Sequence, residues 1–160
     1  MRIGIVAPYA DPEKGAAVVR INSFKDYFTK AGHEVVIFSP HRNTVNARGV
    51  VRYRGIKHIL SLLSAARPDI IIGTSPPMTH NFFIVLFCKI SRTPFILDSK
   101  DPYTYLASRL RQSRGLKLKA YRMMEIITHK MSDQIFVLTT LDKGHLQKEY
   151  GFPEKIHVIR

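Results

Sequence analysis

Compact apolar runs alternate with amphipathic stretches along the chain. The apolar runs predict short buried strands, and apolar residues that recur every three or four positions predict helices between them. The predicted strands are residues 3–7, 35–38, 50–53, 70–72, 94–97, 135–138 and 157–160, and the predicted helices are residues 18–31, 56–66, 78–90, 103–110, 116–131 and 139–150. Apolar strands separated by helices favour parallel pairing with both faces covered. The sequence therefore predicts an α/β fold with a doubly wound, mostly parallel, Rossmann-like sheet.

The composition is that of a globular chain. The 160 residues are 45% hydrophobic, which predicts one folded domain. The sequence has no apolar run of about 18 residues that could span a bilayer, and its first residues lack the pattern of a signal peptide. Cys88 is the only cysteine in the sequence, so neither an internal disulfide nor a CxxC pair can form. We therefore expect a cytoplasmic chain.

The positive charge is concentrated in two windows that contain no acidic residue. The net charge is +13, and the basic residues outside the windows nearly balance the 12 acidic ones. The first window holds Arg42, Arg48, Arg52, Arg54, Lys57 and Arg67, and the second holds Arg109, Arg111, Arg114, Lys117, Lys119 and Arg122. Charge confined to two segments indicates a surface for a negatively charged partner.

The second window interleaves its cations with tyrosine, leucine and methionine. Such helices can lie in the headgroup layer of a membrane, with Lys and Arg on lipid phosphates. Nucleic acid would be attracted by the same charge. A solvated helix face, with its apolar residues packed on the sheet, is the third interpretation. The membrane surface is favoured over nucleic acid, and the solvated face stays open.

Ligands of doubly wound sheets bind beyond the carboxyl ends of the strands, so chemistry is expected in the loops there. The loop of residues 8–15 lacks GxGxxG, and the chain lacks GxxxxGK[ST], which disfavours a dinucleotide or P-loop site. Gly15 followed by Ala16 leaves the first amides of a helix uncovered, which suits a phosphate. The need for a flexible residue where the helix begins also explains this glycine.

A charged cluster follows the predicted strand 94–97, consisting of Asp98, Ser99, Lys100 and Asp101. A carboxylate at this position can accept a hydrogen bond from a substrate hydroxyl or act as a general base. Asp101 before Pro102 also fits a helix N-cap with proline at the first helical position. The two roles are compatible.

Two other strand ends carry weaker candidates. Thr74, Ser75, Pro76 and Pro77 follow the strand 70–72 and are predicted mainly as a structural turn that offers hydroxyl groups. His41 follows the strand 35–38 and is a weak site candidate. The histidines lack HExxH-like spacing, so the sequence does not support a metal site.

Five segments follow one another along the chain: MRIGIVAPYADPEKGAAVVRI, GHEVVIFSP, PDIIIGTSPP, TPFILDSKDPY and MSDQIFVLTTLDKGHLQKEYGFPEKIHVI. In this order they resemble the N-terminal half of a GT-B glycosyltransferase of the retaining family 4 type. The likeness is greatest to enzymes that build capsule, exopolysaccharide or O-antigen units on polyprenyl-linked carriers. It implies that residues 1–160 are the acceptor-binding domain, and that a C-terminal nucleotide-sugar-binding domain is absent from this chain.

The resemblance also implies roles for single residues. Gly15 and Ala16 would lie beside the donor phosphates, and the acceptor would be bound by His41, Thr74, Ser75 and Lys100. The cluster from Asp98 to Asp101 matches the family motif D-x-R-D, and either aspartate would lie near the reacting hydroxyl. Lys100 replaces the usual arginine, which keeps the charge and loses the bidentate fork.

The expectation is therefore a transferase of the hexosyltransferase type at the inner face of the membrane. Its co-substrate would be a nucleotide-sugar, its acceptor a polyprenyl-linked saccharide, and it would need no other cofactor and no metal. Anionic lipid and its own C-terminal domain would be further partners, and this half alone would be inactive. The alternative is a non-catalytic module that binds anionic lipid or nucleic acid.

Overall fold

The structure, a computed structural model, describes residues 1–41, 47–100 and 115–159. The described residues contain seven strands that pair in parallel and the helices that connect them, so the predicted α/β, Rossmann-like fold class is confirmed. The chain divides into two compact units, Met1–Gly73 and Thr74–Arg160. Within the described residues, no helix is long and apolar enough to cross a membrane.

The first unit is built on four strands in the order β3, β2, β1, β4. Its elements are β1 (Arg2–Val6), α1 (Ala16–Lys30), β2 (Glu34–Pro40), β3 (Val50–Tyr53), α2 (Ile56–Ala66) and the first part of β4 (Ile70–Ser75). Ile5 pairs with Ile37 on one side and Ile72 on the other, and all three are buried. This row of isoleucines forms the centre of the core of the unit. Strand β3 and helix α2 begin and end at the residues predicted from the sequence, 50–53 and 56–66.

The second unit holds the end of β4 and three further strands in the order β5, β6, β7. Its elements are α3 (Met78–Ser91), β5 (Phe95–Ser99), α4 (Leu116–Met131), β6 (Gln134–Val137), α5 (Thr140–Tyr150) and β7 (Ile156–Val158). Helix α5 begins with a capping box, in which Thr139 Oγ1 accepts a hydrogen bond from the Asp142 amide and the Asp142 carboxylate accepts one from the Thr139 amide. The predicted helix 103–110 lies outside the described residues.

Three strands run further than the sequence pattern predicts, and the first is β2, which ends at Pro40 rather than at residue 38. Strand β4 continues through Thr74 and Ser75, and β5 continues through Asp98 and Ser99. The turn predicted from Thr74 to Pro77 is therefore wrong at Thr74 and Ser75, and the chain leaves the strand only at Pro76. The apolar pattern stops early because these side chains are polar, but backbone pairing continues, since the amide of Lys100 donates to the carbonyl oxygen of Ser75 at 3.4 Å.

Helix α4 buries a polar row that faces α5. His129 Nδ1 donates to the carbonyl oxygen of Glu125 at 2.7 Å, and the imidazole stacks on the ring of Tyr150 with 4.6 Å between centroids. Burial lowers the pKa of His129 to about 4, although the hydrogen bond to Glu125 acts in the opposite direction. The folded protein therefore keeps this imidazole neutral at pH values where an exposed histidine takes up a proton.

We predict that His129 makes the stability of the protein depend on pH. The unfolded chain binds a proton near the ordinary histidine pKa of about 6.5, whereas the folded chain binds it only near pH 4. The stabilisation is complete above about pH 6.5 and falls by up to about 1.4 kcal/mol per pH unit as the pH drops towards 4. Urea unfolding of the parent and of His129→Leu at pH values between 7.5 and 4.5 measures this slope.

The variant should lose this part of the pH dependence, because leucine does not titrate. Replacing the exposed His157 by leucine is the control, and it should keep the slope of the parent. Equal slopes in His129→Leu and the parent would contradict the prediction.

Candidate functional site

The loop of residues 8–15 leads from β1 into α1 and is closed by its own hydrogen bonds. Glu13 Oε2 accepts from the amide of Ala10 at 2.8 Å, and the amide of Glu13 donates to the carbonyl oxygen of Ala10 at 3.2 Å. Asn22 Nδ2, on α1, donates to Asp11 Oδ1 at 3.1 Å. The loop is thus attached to the helix that follows it.

Gly15 is the residue at which this loop turns into α1. Its φ of 137° lies in a region that side chains disfavour, while the space where a Cβ would project is open. The glycine is therefore required by backbone conformation rather than by close packing. Gly15 and Ala16 are both exposed, and no described side chain caps the helix. The amino end of α1, with its uncompensated amides and positive dipole end, is open to solvent.

Arg52, on β3, is a residue whose importance the sequence does not reveal. Its Nη2 donates to the carbonyl oxygens of Ala10 at 3.3 Å and Asp11 at 2.6 Å, and its Nη1 donates to the carbonyl oxygen of Pro40 at 3.3 Å. It therefore joins the loop 8–15 to the end of β2, next to the exposed His41. The only signal in the sequence is a charged residue between apolar neighbours inside a strand.

In the second unit, the structure brings the predicted cluster after β5 together with the end of β4. Asp98 is fully buried, and its Oδ2 lies 4.0 Å from Nζ of Lys100, whose side chain is 13% exposed. The Lys100 amide bonds to Ser75, as described above, so the predicted residues of β4 and β5 are neighbours. A buried carboxylate beside an ammonium group keeps the lysine side chain close to the strand end.

Thr74 and Ser75 carry buried hydroxyl groups with no hydrogen-bond partner among the described residues. The backbone around them is held by Asn81 on α3, whose Nδ2 donates to the carbonyl oxygens of Thr74 at 2.9 Å and Pro77 at 3.4 Å. Buried hydroxyls without partners are uncommon, and a bound water, an ion or a functional contact is the usual explanation for one. This end of β4 is therefore a candidate position for polar contacts to a ligand.

A shallow pocket lies beside the cluster, lined by Ser99, Lys100, Asp142, His145 and Leu146. It lies where β5 ends and α5 begins. Its walls carry a hydroxyl, an ammonium group, a carboxylate and an imidazole, which together can donate and accept hydrogen bonds. Asp142 and His145 carry no signal of a site in the sequence, because they belong to a helix that follows the next strand.

The remaining predicted residues divide between the described and undescribed parts of the chain. Asp101, Arg109, Arg111 and Arg114 lie outside the described residues. Lys117, Lys119 and Arg122 are exposed on α4, and Arg122 Nη2 pairs with Glu149 Oε1 at 2.6 Å. Leu116 and Met123 on the same helix are 83% and 64% exposed. The described part of the second window thus presents both cations and apolar side chains to solvent.

Comparison with known families identifies the kind of protein that carries these features. Residues 17–160 match the sequence profile described as Glycosyltransferase Family 4. The chain belongs to this family. The match confirms the family resemblance noted in the sequence and begins just after Gly15 and Ala16.

Solved structures with the same fold are also glycosyltransferases. The apo UGT2 of Phytolacca americana superposes with a TM-score of 0.62 at 11% identity, over 99% of this chain and 51% of its own. An α-glucosyltransferase in complex with UDP and a 13-mer DNA superposes with a TM-score of 0.60 at 17% identity, over 100% of this chain and 40% of its own. The chain thus spans about half, or less, of the length of these structures. A comparison with curated proteins gives no significant sequence match.

We predict that Asn81 stabilises the end of β4. Asn81→Leu removes the donor from two buried carbonyl oxygens, which should lower the free energy of unfolding by about 1–3 kcal/mol. Asn81→Asp should also destabilise the protein at neutral pH, because an ionised carboxylate has no donor. Urea unfolding measures both changes.

The neighbouring change Thr79→Ala is the control, and its effect should stay within about 0.5 kcal/mol. If Asn81→Leu were as stable as the parent, the contacts of Asn81 with Thr74 and Pro77 would not hold this strand end.

Proposed function

We propose that this chain is the acceptor-side half of a glycosyltransferase of the hexosyltransferase type. The enzyme would transfer a sugar from a nucleotide-sugar to a polyprenyl-linked saccharide at the inner face of the membrane, as in capsule, exopolysaccharide or O-antigen synthesis. The family match over residues 17–160 carries the proposal. A second, nucleotide-sugar-binding domain would complete the enzyme, which is consistent with the share of the similar structures that this chain spans.

The cluster after β5 supports a catalytic role for this strand end. Asp98 is fully buried beside Lys100, and Lys100 lines the adjacent pocket. We assign the contact with the reacting hydroxyl to Asp101, while Asp98 holds the ammonium group of Lys100 at the pocket. A carboxylate at the hydroxyl can accept its proton as the new glycosidic bond forms, while the bond from the sugar to the nucleoside diphosphate breaks and the nucleoside diphosphate leaves.

The acceptor would be bound by the pocket beside β5 and by the end of β4. Sugar hydroxyls both donate and accept hydrogen bonds, which matches the mixed donors and acceptors of Ser99, Lys100, Asp142 and His145. The buried hydroxyls of Thr74 and Ser75 offer further polar contacts. His41, exposed after β2, is assigned to the acceptor as well.

The donor phosphates are assigned to the amino end of α1. Gly15 and Ala16 leave the first turn exposed, and a helix amino end favours an anion through its amides and its dipole. This assignment rests on the family resemblance together with the open geometry of the turn.

Membrane association is assigned to the outer face of α4. Leu116, Lys119 and Met123 recur at helical spacing and are exposed, so apolar side chains and a cation share one face. Such a face can insert its apolar groups between headgroups while the cations bind lipid phosphates. Arg122 contributes less to this surface because it is paired with Glu149.

The catalytic assignment predicts a graded loss of sugar transfer in the intact enzyme. Asp101→Asn should lower the rate of transfer about 100-fold or more, because the proton acceptor is lost. Lys100→Met should also impair transfer, whereas Lys100→Arg should retain most of it because arginine is the usual residue of the motif. The assay measures nucleoside diphosphate released from a panel of nucleotide-sugars in the presence of extracted polyprenyl-linked saccharides.

Asp26→Asn is the matched control, since Asp26 is exposed on α1 and has no part in the proposed site. It should leave the rate unchanged. Transfer by Asp101→Asn at the parental rate would show that the catalytic assignment is wrong.

The membrane assignment predicts salt-sensitive binding to anionic vesicles. The protein should sediment with vesicles that contain phosphatidylglycerol and not with pure phosphatidylcholine. Neutralising Lys117 and Lys119 to glutamine should weaken binding by about 1 kcal/mol per cation. The control neutralises two exposed cations outside both basic windows, Lys30 and Lys148, and should bind as the parent does.

Equal binding to neutral and anionic vesicles would contradict this assignment. Tighter binding to duplex DNA than to anionic vesicles at the same salt concentration would instead favour the nucleic-acid-binding module.

A further inference from the structure

Arg52 is a cation from the first basic window that points into the protein. Its side chain is 6% exposed, although strand β3 lies at the margin of the sheet. A buried guanidinium is costly unless hydrogen bonds and an opposite charge compensate it. The groups around Arg52 show how its charge is compensated and which segment of the chain it holds in place.

The compensation comes from three backbone carbonyl oxygens and one carboxylate. The carbonyls belong to Ala10, Asp11 and Pro40, at 2.6–3.3 Å from the Nη atoms. The carboxylate is that of Glu13, whose Oε2 lies 3.5 Å from Nη1 of Arg52. Three of these four groups belong to the loop 8–15. Most of the contacts of the Arg52 guanidinium are therefore with one loop, although its Nε has no hydrogen-bond partner among the described residues.

The loop held in this way determines how the chain enters α1. Glu13 also accepts from the amide of Ala10, and Asp11 accepts from Asn22 on α1, so Arg52 belongs to a network that runs from β3 to the helix. Gly15 follows two residues after Glu13 and adopts a backbone conformation with φ 137°. Because the loop is fixed at Ala10, Asp11 and Glu13, few backbone conformations can connect it to Gly15.

We propose that Arg52 is a positioning residue that fixes the loop 8–15 and thereby the amino end of α1 for the donor phosphates. This role rests on the function proposed above for Gly15 and Ala16. Arg52 acts through the loop and does not itself contact the donor. Its charge belongs to the interior, so it is not part of a surface for a negatively charged partner.

Arginine suits this role better than lysine would. The planar guanidinium presents several N–H groups at fixed angles, and here two Nη atoms serve acceptors from the loop and from the end of β2. A lysine ammonium keeps the charge but cannot span the same acceptors. Arg52→Lys is therefore the informative variant, because it preserves the ion pair with Glu13 while it loses the fork.

The first experiment follows amide hydrogen exchange in the full-length protein. In Arg52→Lys the amides of residues 8–19 should exchange about tenfold faster, because the loop opens more often once its hydrogen bonds to the guanidinium are lost. Amides of β4 should exchange as in the parent. Glu13→Gln is the second variant; it keeps an acceptor for Ala10, and it should show a smaller increase in the same peptides.

The second experiment measures kinetics of the intact enzyme with nucleotide-sugar and extracted polyprenyl-linked saccharides. Arg52→Lys should raise KM for the nucleotide-sugar about tenfold, with kcat and KM for the acceptor nearly unchanged, because ground state and transition state lose the same donor contact. A general loss of folded enzyme would instead lower kcat with both KM values constant. Arg54→Lys is the matched control, since Arg54 is exposed two residues away, and it should behave as the parent.

The two experiments separate failure of this inference from failure of the proposed function. Parental exchange and parental KM in Arg52→Lys would overturn the positioning role. Faster loop exchange with an unchanged donor KM would show that the loop does not serve the donor phosphates, which also overturns it. If the parent enzyme transfers no sugar from any nucleotide-sugar, the proposed function fails, and the exchange result alone decides whether Arg52 fixes the loop.

Discussion

Parallel pairing of buried strands is the constraint on which the other features of this protein depend. In the first unit, β1 lies between β2 and β4, with Ile5 opposite Ile37 and Ile72 in the core. Parallel pairing requires each connection to return over the sheet, so helices cover the faces and the carboxyl ends of the strands point the same way. The polar residues that follow each strand are therefore gathered at one end of each unit, where the candidate residues are found.

The second general feature is that each unit contains a buried charge compensated by nearby polar or charged groups. Arg52 is compensated by three carbonyl oxygens and Glu13, and Asp98 lies beside the ammonium group of Lys100. Each buried charge lies where a strand meets a loop of the candidate site. Removing one member would leave its partners buried and unsatisfied, so these pairs hold the loops more firmly than surface ion pairs would. In both places, the buried charge restricts the conformation of the backbone next to the proposed ligand site.

Much of the fold could be predicted because it rests on local patterns. The ends of strand 50–53 and of helices 56–66 and 116–131 in the structure agree with the predicted ends, because the apolar periodicity changes sharply there. The ends of β4 and β5 were predicted too early, because Thr74, Ser75, Asp98 and Ser99 are polar and yet remain paired and buried. The contact between Lys100 and Ser75 can be inferred from the order of the strands. The strand order does not predict that Arg52 points inward, or that Asp142 and His145 line the pocket.

The sequence by itself determined the α/β class, the order of elements, the two basic windows and the family resemblance, because periodicity, charge and motif order are properties of neighbouring residues. Only the tertiary structure decided which charges are buried and which are exposed. Arg52 and Lys119 look alike in the sequence as cations of an acid-free window. The first is enclosed by a loop more than 35 residues away in the chain, and the second lies on an outer helix face. That difference depends on contacts between distant segments, which form only when the strands pair.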